Sequence, residues 1–507
     1  MASLPERNQS SLSSITWGQL SGLVFPLFPS KLTKVEVPQP FLILGILVLH
    51  IIGAGHVLHA LFSVRTPSAT IAWMISLLTF PWITIPFYWV FGRNTLSGYV
   101  QARKSDDELL NSQVDALETS IKLHRLEPTT PFLKTAVHLA GMPLTRGNDA
   151  DLLIDGAEIF ERIFQSIAQA QDYLLIHFYI IKEDRVGTRF KDALIERAQA
   201  GVRVYFLFDE FGSNKLPDSY LEELAAAGVE CCPFGRTRRW WSRLQLNFRN
   251  HRKIVVIDGN DAFIGGANVG DEYLGRSEKF GDWRDTHLRL QGPAVQAVQL
   301  VFLEDWYWAT HRIPSLDWHC CPEKEDASIA IVPTGPSDER PSFQLLIAEA
   351  ANTTREKLWI ASPYFVPDDG ILTALQTAAL RGVDVRILLP EKPDHILVWL
   401  SSFTYYHQTL PYGIRMFRYS DGFMHQKAFL IDNQTAAIGT GNLDNRSLRL
   451  NFEITAILTA QEHVYEVAGM FAEDFDRARE VDRDEFMEKP LYFKLAAKLA
   501  RLLAPIQ

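Results

Sequence analysis

Two short stretches of this chain carry histidine, lysine and aspartate at one spacing. The first reads His251-Arg-Lys253 and reaches Asp258 five residues later; six intervening residues then lead to Gly265-Gly-Ala-Asn268. The second reads His425-Gln-Lys427 and reaches Asp432, and after six intervening residues comes Gly439-Thr-Gly-Asn442. Every landmark is displaced by 174 residues. A lone match to such a pattern is weak, but two in register mark homologous halves that share one site. Strand side chains alternate, so His and Lys two residues apart face the same way. The apolar runs Ile254–Ile257 and Ala428–Ile431 read as strands buried on both faces. Two such strands meeting would offer two imidazoles and two ammonium groups to one anionic group, most simply a phosphodiester. One His can attack phosphorus, while the other protonates the leaving oxygen and later deprotonates the acceptor. Lys253, Lys427, Asn268 and Asn442 would hold the non-bridging oxygens. The catalytic set is then His251, Lys253, Asp258, His425, Lys427 and Asp432. This chemistry calls for no metal and no cofactor, and the residues do not decide which His is the nucleophile.

The flanking residues narrow the reading. They include Trp89-Val-Phe-Gly-Arg93, Gly265-Gly-Ala-Asn-Val-Gly-Asp-Glu-Tyr-Leu-Gly275 and Trp283-Arg-Asp-Thr-His287. Further along come Ser362-Pro-Tyr-Phe365, Gly439-Thr-Gly-Asn-Leu-Asp-Asn-Arg-Ser447 and Leu450-Asn-Phe-Glu453. With these the chain resembles, from about residue 40 onward, the phospholipase D (HKD) superfamily, and within it the bacterial cardiolipin synthases. The resemblance implies transfer of a phosphatidyl group from one phosphatidylglycerol to a second through a phosphohistidine, with release of glycerol. It also implies His251 as nucleophile and His425 as acid and base. An imidazole that must keep one tautomer needs a carboxylate on its other nitrogen. Glu453 lies 28 residues after His425 and matches the position with that part in related enzymes, so it is expected to support His425. Lys279 falls at the equivalent distance from His251, which leaves Asp285 as the carboxylate expected there.

Around the motifs, each half carries the same elements. Tyr173–Ile181, Arg189–Gln199 and Val202–Phe208 read as strand, helix and strand, and Lys357–Phe365, Ile371–Leu380 and Val383–Leu389 repeat them. Both helices stop at a Gly-Val pair, Gly201 and Gly382. Gly228 and Gly413 mark a second shared break ahead of each His. The expected fold class is α/β, with two phospholipase D-like lobes of mixed sheets flanked by helices. Residues 131–322 form the first lobe and 323–507 the second, joined near Trp308–Ala327. At 507 residues the chain has room for about three units.

The third unit is apolar. Phe41–Phe62 and Ile71–Phe91 are each long enough to span a bilayer, the second interrupted by Pro81 and Pro86. A short connector makes them a two-helix transmembrane hairpin over residues 41–92, between an N-terminal tail at 1–40 and a linker helix within 93–130. No cleavable signal peptide precedes it. Lys31 and Lys34 before the hairpin, and Arg93, Arg103 and Lys104 after it, outnumber Arg65 in the connector. Both ends and the lobes are therefore expected on the cytoplasmic side of a bacterial inner membrane. His50, His56 and His59 in the first helix read as interfacial or packing residues. The four Cys form two adjacent pairs, Cys231-Cys232 and Cys320-Cys321, which suit neither disulfides nor zinc and read as reduced thiols.

Two segments are suited to lipid. Arg236–Arg252 sets Arg236, Arg238, Arg239, Arg243, Arg249 and Arg252 among Trp240, Trp241 and Phe248, in a chain whose net charge is −10. That composition fits an anionic headgroup, although it could also grip a nucleic-acid backbone. The tail Leu491–Leu503 is apolar on one face, with Lys494, Lys498 and Arg501 on another, and could lie on a bilayer or dock on a lobe. The expected partners are phosphatidylglycerol and membrane lipids, with no nucleic acid. The acidic total charge and the apolar hairpin argue against a membrane-tethered nuclease. A phospholipase D-type hydrolase, or a transphosphatidylase using other phospholipids, has the same catalytic residues. No nucleotide-binding loop occurs.

Overall fold

The structure is a computed structural model that describes residues 39–63, 67–92, 108–235 and 248–507. The tail, the connector with Arg65, the basic residues Arg93, Arg103 and Lys104, and the Arg-Trp stretch from Arg236 to Trp241 and Arg243 lie outside the described residues. The chain divides into two compact units, one reaching Ile85 and the other holding Pro86–Gln507.

In the first unit, one helix runs from Gln39 to Ser63, and its Ile43–Ser63 portion is long and apolar enough to cross a membrane. Among the described residues it is the only such helix. The second apolar run, expected as one membrane-spanning arm interrupted by Pro81 and Pro86, is two shorter helices, Pro67–Thr79 and Pro81–Phe91. The cause is Pro81, which has no N–H to give the Leu77 carbonyl and crowds the preceding turn. The hydroxyl of Thr84 compensates nearby by donating to the Ser76 carbonyl at 3.0 Å. The first helix packs closely at this break, because a Cβ on Gly53 would stand 2.5 Å from the Leu77 oxygen. The ring nitrogens of His50 and His56 each meet a carbonyl one turn back at 2.8 Å.

The second unit is built from one seven-strand pattern used twice. The first lobe contributes β1 (Leu144–Ile154), β2 (Tyr173–Phe178), β3 (Arg203–Asp209), β4 (Glu230–Phe234), β5 (Ile254–Ile257), β6 (Asp261–Gly265) and β7 (Thr286–Gln291). The second contributes β8 (Ala327–Thr334), β9 (Lys357–Ala361), β10 (Asp384–Pro390), β11 (Arg415–Tyr419), β12 (Ala428–Ile431), β13 (Thr435–Gly439) and β14 (Asn451–Leu458). The spatial order is β4-β3-β2-β5-β6-β7-β1 in one lobe. It is β11-β10-β9-β12-β13-β14-β8 in the other. In each lobe the first three strands are parallel and the remainder antiparallel, the mixed sheet expected. Strands β1 and β8 pair antiparallel, so the two sheets run together.

Local chemistry explains the repeat. The crossover helices Arg185–Gln199 and Asp369–Leu380 both begin at an aspartate, Asp184 or Asp368, whose side chain accepts a backbone N–H at 3.0 Å. Both helices are followed by a glycine with left-handed backbone, Gly201 at φ 95° and Gly382 at φ 94°. Gly228 and Gly413 have the same conformation, at 95° and 91°. Only glycine enters that region without cost, so these breaks recur in sequence because they recur in space. The central strands β5 and β12 are buried along their whole length, as their unbroken apolar runs require.

Candidate active site

The motif strands β5 and β12 carry at their ends the groups that place them. Asp258 and Asp432 lie past the C-terminal ends, in left-handed conformations at φ 51° and 52°. The Asp258 carboxylate accepts the backbone N–H groups of Gln171, Asp172 and Tyr173, each at 2.8 Å. Asp432 takes those of Arg355, Glu356 and Lys357 at 2.7 to 2.9 Å. Each aspartate therefore ties its motif strand to the start of its antiparallel neighbour, β2 or β9. The histidines lie at the opposite ends, and each aspartate carboxylate is taken up by backbone N–H groups instead.

At the other end of each motif strand the two lobes interlock. Arg249–Asn250 runs parallel to Asn451–Phe452, and the N–H of His251 donates to the Phe452 carbonyl at 2.9 Å. In the mirror arrangement Phe423–Met424 runs parallel to Trp283–Arg284, and the N–H of His425 donates to Arg284 at 2.8 Å. The next residue on each partner segment is a carboxylate. Glu453 Oε2 stands 3.0 Å from Nδ1 of His251, and Asp285 Oδ2 stands 2.9 Å from Nδ1 of His425. The pairing is thus the reverse of the one expected from sequence. Each histidine takes its acid from the other lobe, because the acid arrives on a segment paired across the interface rather than on its own sheet.

The surroundings fix the charge and tautomer of these pairs. Nδ1 of His251 also faces the Thr440 carbonyl at 3.1 Å. With two acceptors on Nδ1 that nitrogen carries the proton, and Nε2 keeps its lone pair. Glu453 has further donors in Thr440 Oγ1 at 2.6 Å, Ser447 Oγ at 2.8 Å and Asn451 Nδ2 at 3.2 Å. Burial lowers both histidines to about 4; Glu453 opposes this at His251, whereas at His425 Lys427 adds to it and Asp285 opposes it. Burial pushes the two carboxylates up, but His425 with Lys427, and His251 with Lys253 and Thr440, outweigh it and hold both at about 2. The resting site therefore holds ionised carboxylates and neutral imidazoles. The rings of Trp283 and Tyr273 near His425, and of Tyr179 at 5.0 Å from His251, supply much of the dry wall.

Both motif lysines are buried. Lys253 donates to the His251 carbonyl at 2.6 Å, and Nζ of Lys427 lies 2.8 and 2.9 Å from the ring nitrogens of His425. Burial pushes Lys427 down to about 8 and Lys253 well below the ordinary lysine range. Two ammonium groups confined this way repel each other and have a strong pull on an anion. The asparagines differ. Asn268 accepts the N–H of Ile180 at 3.1 Å and donates to Tyr273 Oη at 2.7 Å, whereas Asn442 has a buried amide oxygen without a partner.

Several supporting residues were not assigned to the site from sequence. Beneath His251, Arg252 meets both oxygens of Asp305 at 2.8 Å and gives its Nε–H to the Glu453 carbonyl at 3.0 Å. Arg252 is therefore a buried strut and not part of a cationic surface. Arg249 lies over the Phe211 ring and Phe248 is buried. Arg284 of the first lobe pairs with Asp474 of the second at 2.7 and 3.0 Å, and Gln426 joins Thr286 to Asp474. The small-residue turns also have a cause. A Cβ on Gly266 would stand 1.9 Å from Asp285 Oδ1, and one on Gly441 would stand 2.5 Å from the Phe343 ring. The signal for Thr440 and Ser447 lies in the Gly439–Ser447 run itself. The four cysteines are free. Among the described residues no group of three or more His, Cys, Asp or Glu is arranged to hold a metal ion.

Two copies of one α/β lobe, each lending a histidine and a carboxylate to a joint anion site, define a phospholipase D-like phosphodiester transferase. The family described as "Cardiolipin synthase, PLD-like domain" matches residues 163–289 and 347–477, one segment in each lobe. A second family, "Phospholipase_D-nuclease N-terminal", matches residues 46–93. Cardiolipin synthase A of Pseudomonas syringae pv. syringae is 40% identical over 464 residues, covering 90% of this chain and 97% of its own. Cardiolipin synthase A of Pseudomonas fluorescens is likewise 40% identical, covering 91% and 97%. The chain belongs to the cardiolipin synthase family of phospholipase D-like proteins. A phosphatidylserine synthase from Haemophilus influenzae Rd KW20 has the same fold, with a TM-score of 0.59 at 16% identity over 75% of this chain and 100% of that one.

Proposed function

We propose that this protein is a phosphatidyltransferase that makes cardiolipin from two molecules of phosphatidylglycerol. The observation that carries the reading is the pair of crossed imidazole–carboxylate contacts beside two buried lysines. In the first half-reaction Nε2 of His251 attacks phosphorus and the bond to the glycerol oxygen breaks. His425, protonated when the anionic headgroup is bound, gives its proton to that oxygen, and glycerol leaves. Glu453 offsets the positive charge that develops on His251. In the second half-reaction His425 takes the proton from a hydroxyl of the second phosphatidylglycerol. The freed oxygen attacks phosphorus, the P–N bond breaks, and His251 returns neutral. Lys253 and Lys427 hold the non-bridging oxygens. One phosphodiester is exchanged for another, so no energy source is required.

The apolar helices between Gln39 and Phe91 support a further part of this reading, a membrane hairpin whose second arm is bent at Pro81. The excess of Lys and Arg at its two ends supports cytoplasmic lobes at a bacterial inner membrane. Phosphatidylglycerol and neighbouring membrane lipids are the partners, and nucleic acid is not. Membranes containing the protein, supplied with phosphatidylglycerol labelled in its headgroup glycerol, test the activity. Cardiolipin with equimolar glycerol is the expected result. Phosphatidic acid as sole product would instead identify a hydrolase, and cleavage of DNA without lipid turnover a nuclease. His251→Ala and His425→Ala should each abolish transfer.

A further inference from the structure

The Leu491–Arg501 helix has three faces rather than two. One is docked on the second lobe: Phe493 lies against Trp399 and Phe403, with ring centroids 5.9 and 5.1 Å away, and Ala497 and Ala500 are buried. A second carries Lys494, Lys498 and Arg501. The third holds Leu491, Leu495, Leu499 and Leu502, spaced so that they form one stripe along the helix. These four are 56 to 81% exposed. The docked face already satisfies the amphipathic pattern, so packing on the lobe does not account for the leucine stripe. A soluble helix would place polar residues there.

The stripe does not stand alone. The helix packs on the Ile396–Phe403 helix, whose first residues Ile396 and Leu397 are also exposed. That second helix starts directly after Asp394, which accepts the hydroxyl hydrogen of Tyr364 at 2.5 Å. The charge of Asp394 is felt by His425 and Lys427. The Ile396–Phe403 helix thus begins two residues beyond a carboxylate that acts on the active site. Its occupant must be apolar in the middle and anionic at the rim, since leucines are bordered by cations in a chain of net charge −10. A second copy of so acidic a chain fits this less well than a bilayer rich in anionic lipid.

We infer that the leucine stripe of the C-terminal helix, with Ile396 and Leu397, is a bilayer-contact surface that seats the second lobe on anionic lipid beside the site. Leucines enter the acyl boundary while Lys494 and Lys498 remain at headgroup level. This goes beyond the transferase reading, since the surface would bind lipid whatever reaction the site performs.

The test uses full-length protein in vesicles of phosphatidylglycerol bearing a photoactivatable acyl chain. Adducts on the 491–503 segment are expected after illumination. A double variant, Leu495→Asp with Leu499→Asp, should lose them and turn over bilayer substrate at least ten-fold more slowly. It should process short-chain, detergent-dispersed phosphatidylglycerol at the wild-type rate. Equal rates on both substrates, or no adducts on this segment in the wild type, would overturn the inference. So would a change from dimer to monomer in the variant without adducts, which would make the stripe an interface between copies. The adducts are read without turnover, so a wild type that forms them but makes no cardiolipin would refute the transferase reading alone.

Discussion

Glu453→Gln should cripple attack on phosphorus, whereas Asp285→Asn should leave attack intact and stop the later transfer to the acceptor. The carboxylate of Glu453 lies 3.0 Å from Nδ1 of the imidazole that becomes positively charged when Nε2 bonds to phosphorus. At that distance, with an effective dielectric constant of about 20, the attraction amounts to about 5 kcal/mol. This corresponds to about four orders of magnitude in rate. The neutral amide also cannot serve all of Thr440, Ser447, Asn451 and His251 as acceptor, so the ring loses its fixed tautomer. Phosphatidyl-p-nitrophenol separates the two steps, because its leaving group departs without a proton. Rapid mixing should give a full burst of p-nitrophenolate with Asp285→Asn but no sustained turnover. With Glu453→Gln the burst itself should slow by about four orders of magnitude. His425→Ala, which should keep the burst, identifies His251 as nucleophile independently. A burst kept by Glu453→Gln and lost by Asp285→Asn, with His425→Ala still bursting, would refute the crossed pairing.

Gly266→Ala brings a methyl group to within 1.9 Å of Asp285 Oδ1, so it should copy Asp285→Asn in the burst assay while the protein still folds. Asp258→Asn turns an amide N–H toward backbone donors and should cost about 2 kcal/mol of stability. Calorimetry should show this as a melting point lower by about 2 °C; an unchanged melting point with lost activity would place Asp258 in the chemistry after all. Lys427, lowered to about 8, loses its charge as pH rises through that value. kcat/KM should therefore fall about ten-fold per pH unit above it, and kcat should fall only at higher pH, because bound anion holds the proton. A profile flat to about pH 10 would remove Lys427 from phosphate binding.

Features that depend on local backbone chemistry are legible in this chain. Gly201, Gly228, Gly382 and Gly413 announce matching breaks because their positive φ admits little else. The buried runs of β5 and β12 announce central strands for the same local reason. The partner of each histidine is not legible, because distance along the chain says nothing about which segments pair across an interface. Asp285 and Glu453 lie 34 and 28 residues after the histidine of their own half, and neither separation tells same-lobe from crossed pairing. Arg252 misled for a related reason: composition groups it with neighbouring arginines, whereas the strand direction turns it inward to Asp305. The break at Pro81 was marked by its residue type, but its depth depends on how closely Gly53 packs against Leu77.

The crossed pairs give synthesis of this protein an order. A ribosome completes the first lobe, with His251, Lys253 and Asp285 in hand, long before Glu453 emerges. Until then His251 has no carboxylate and Asp285 has no histidine, so the growing chain carries no working nucleophile. A truncated product or a cleaved half is silent for the same reason. No lipid-cleaving fragment is thus released during synthesis, and reactivity begins only when the lobes close on each other.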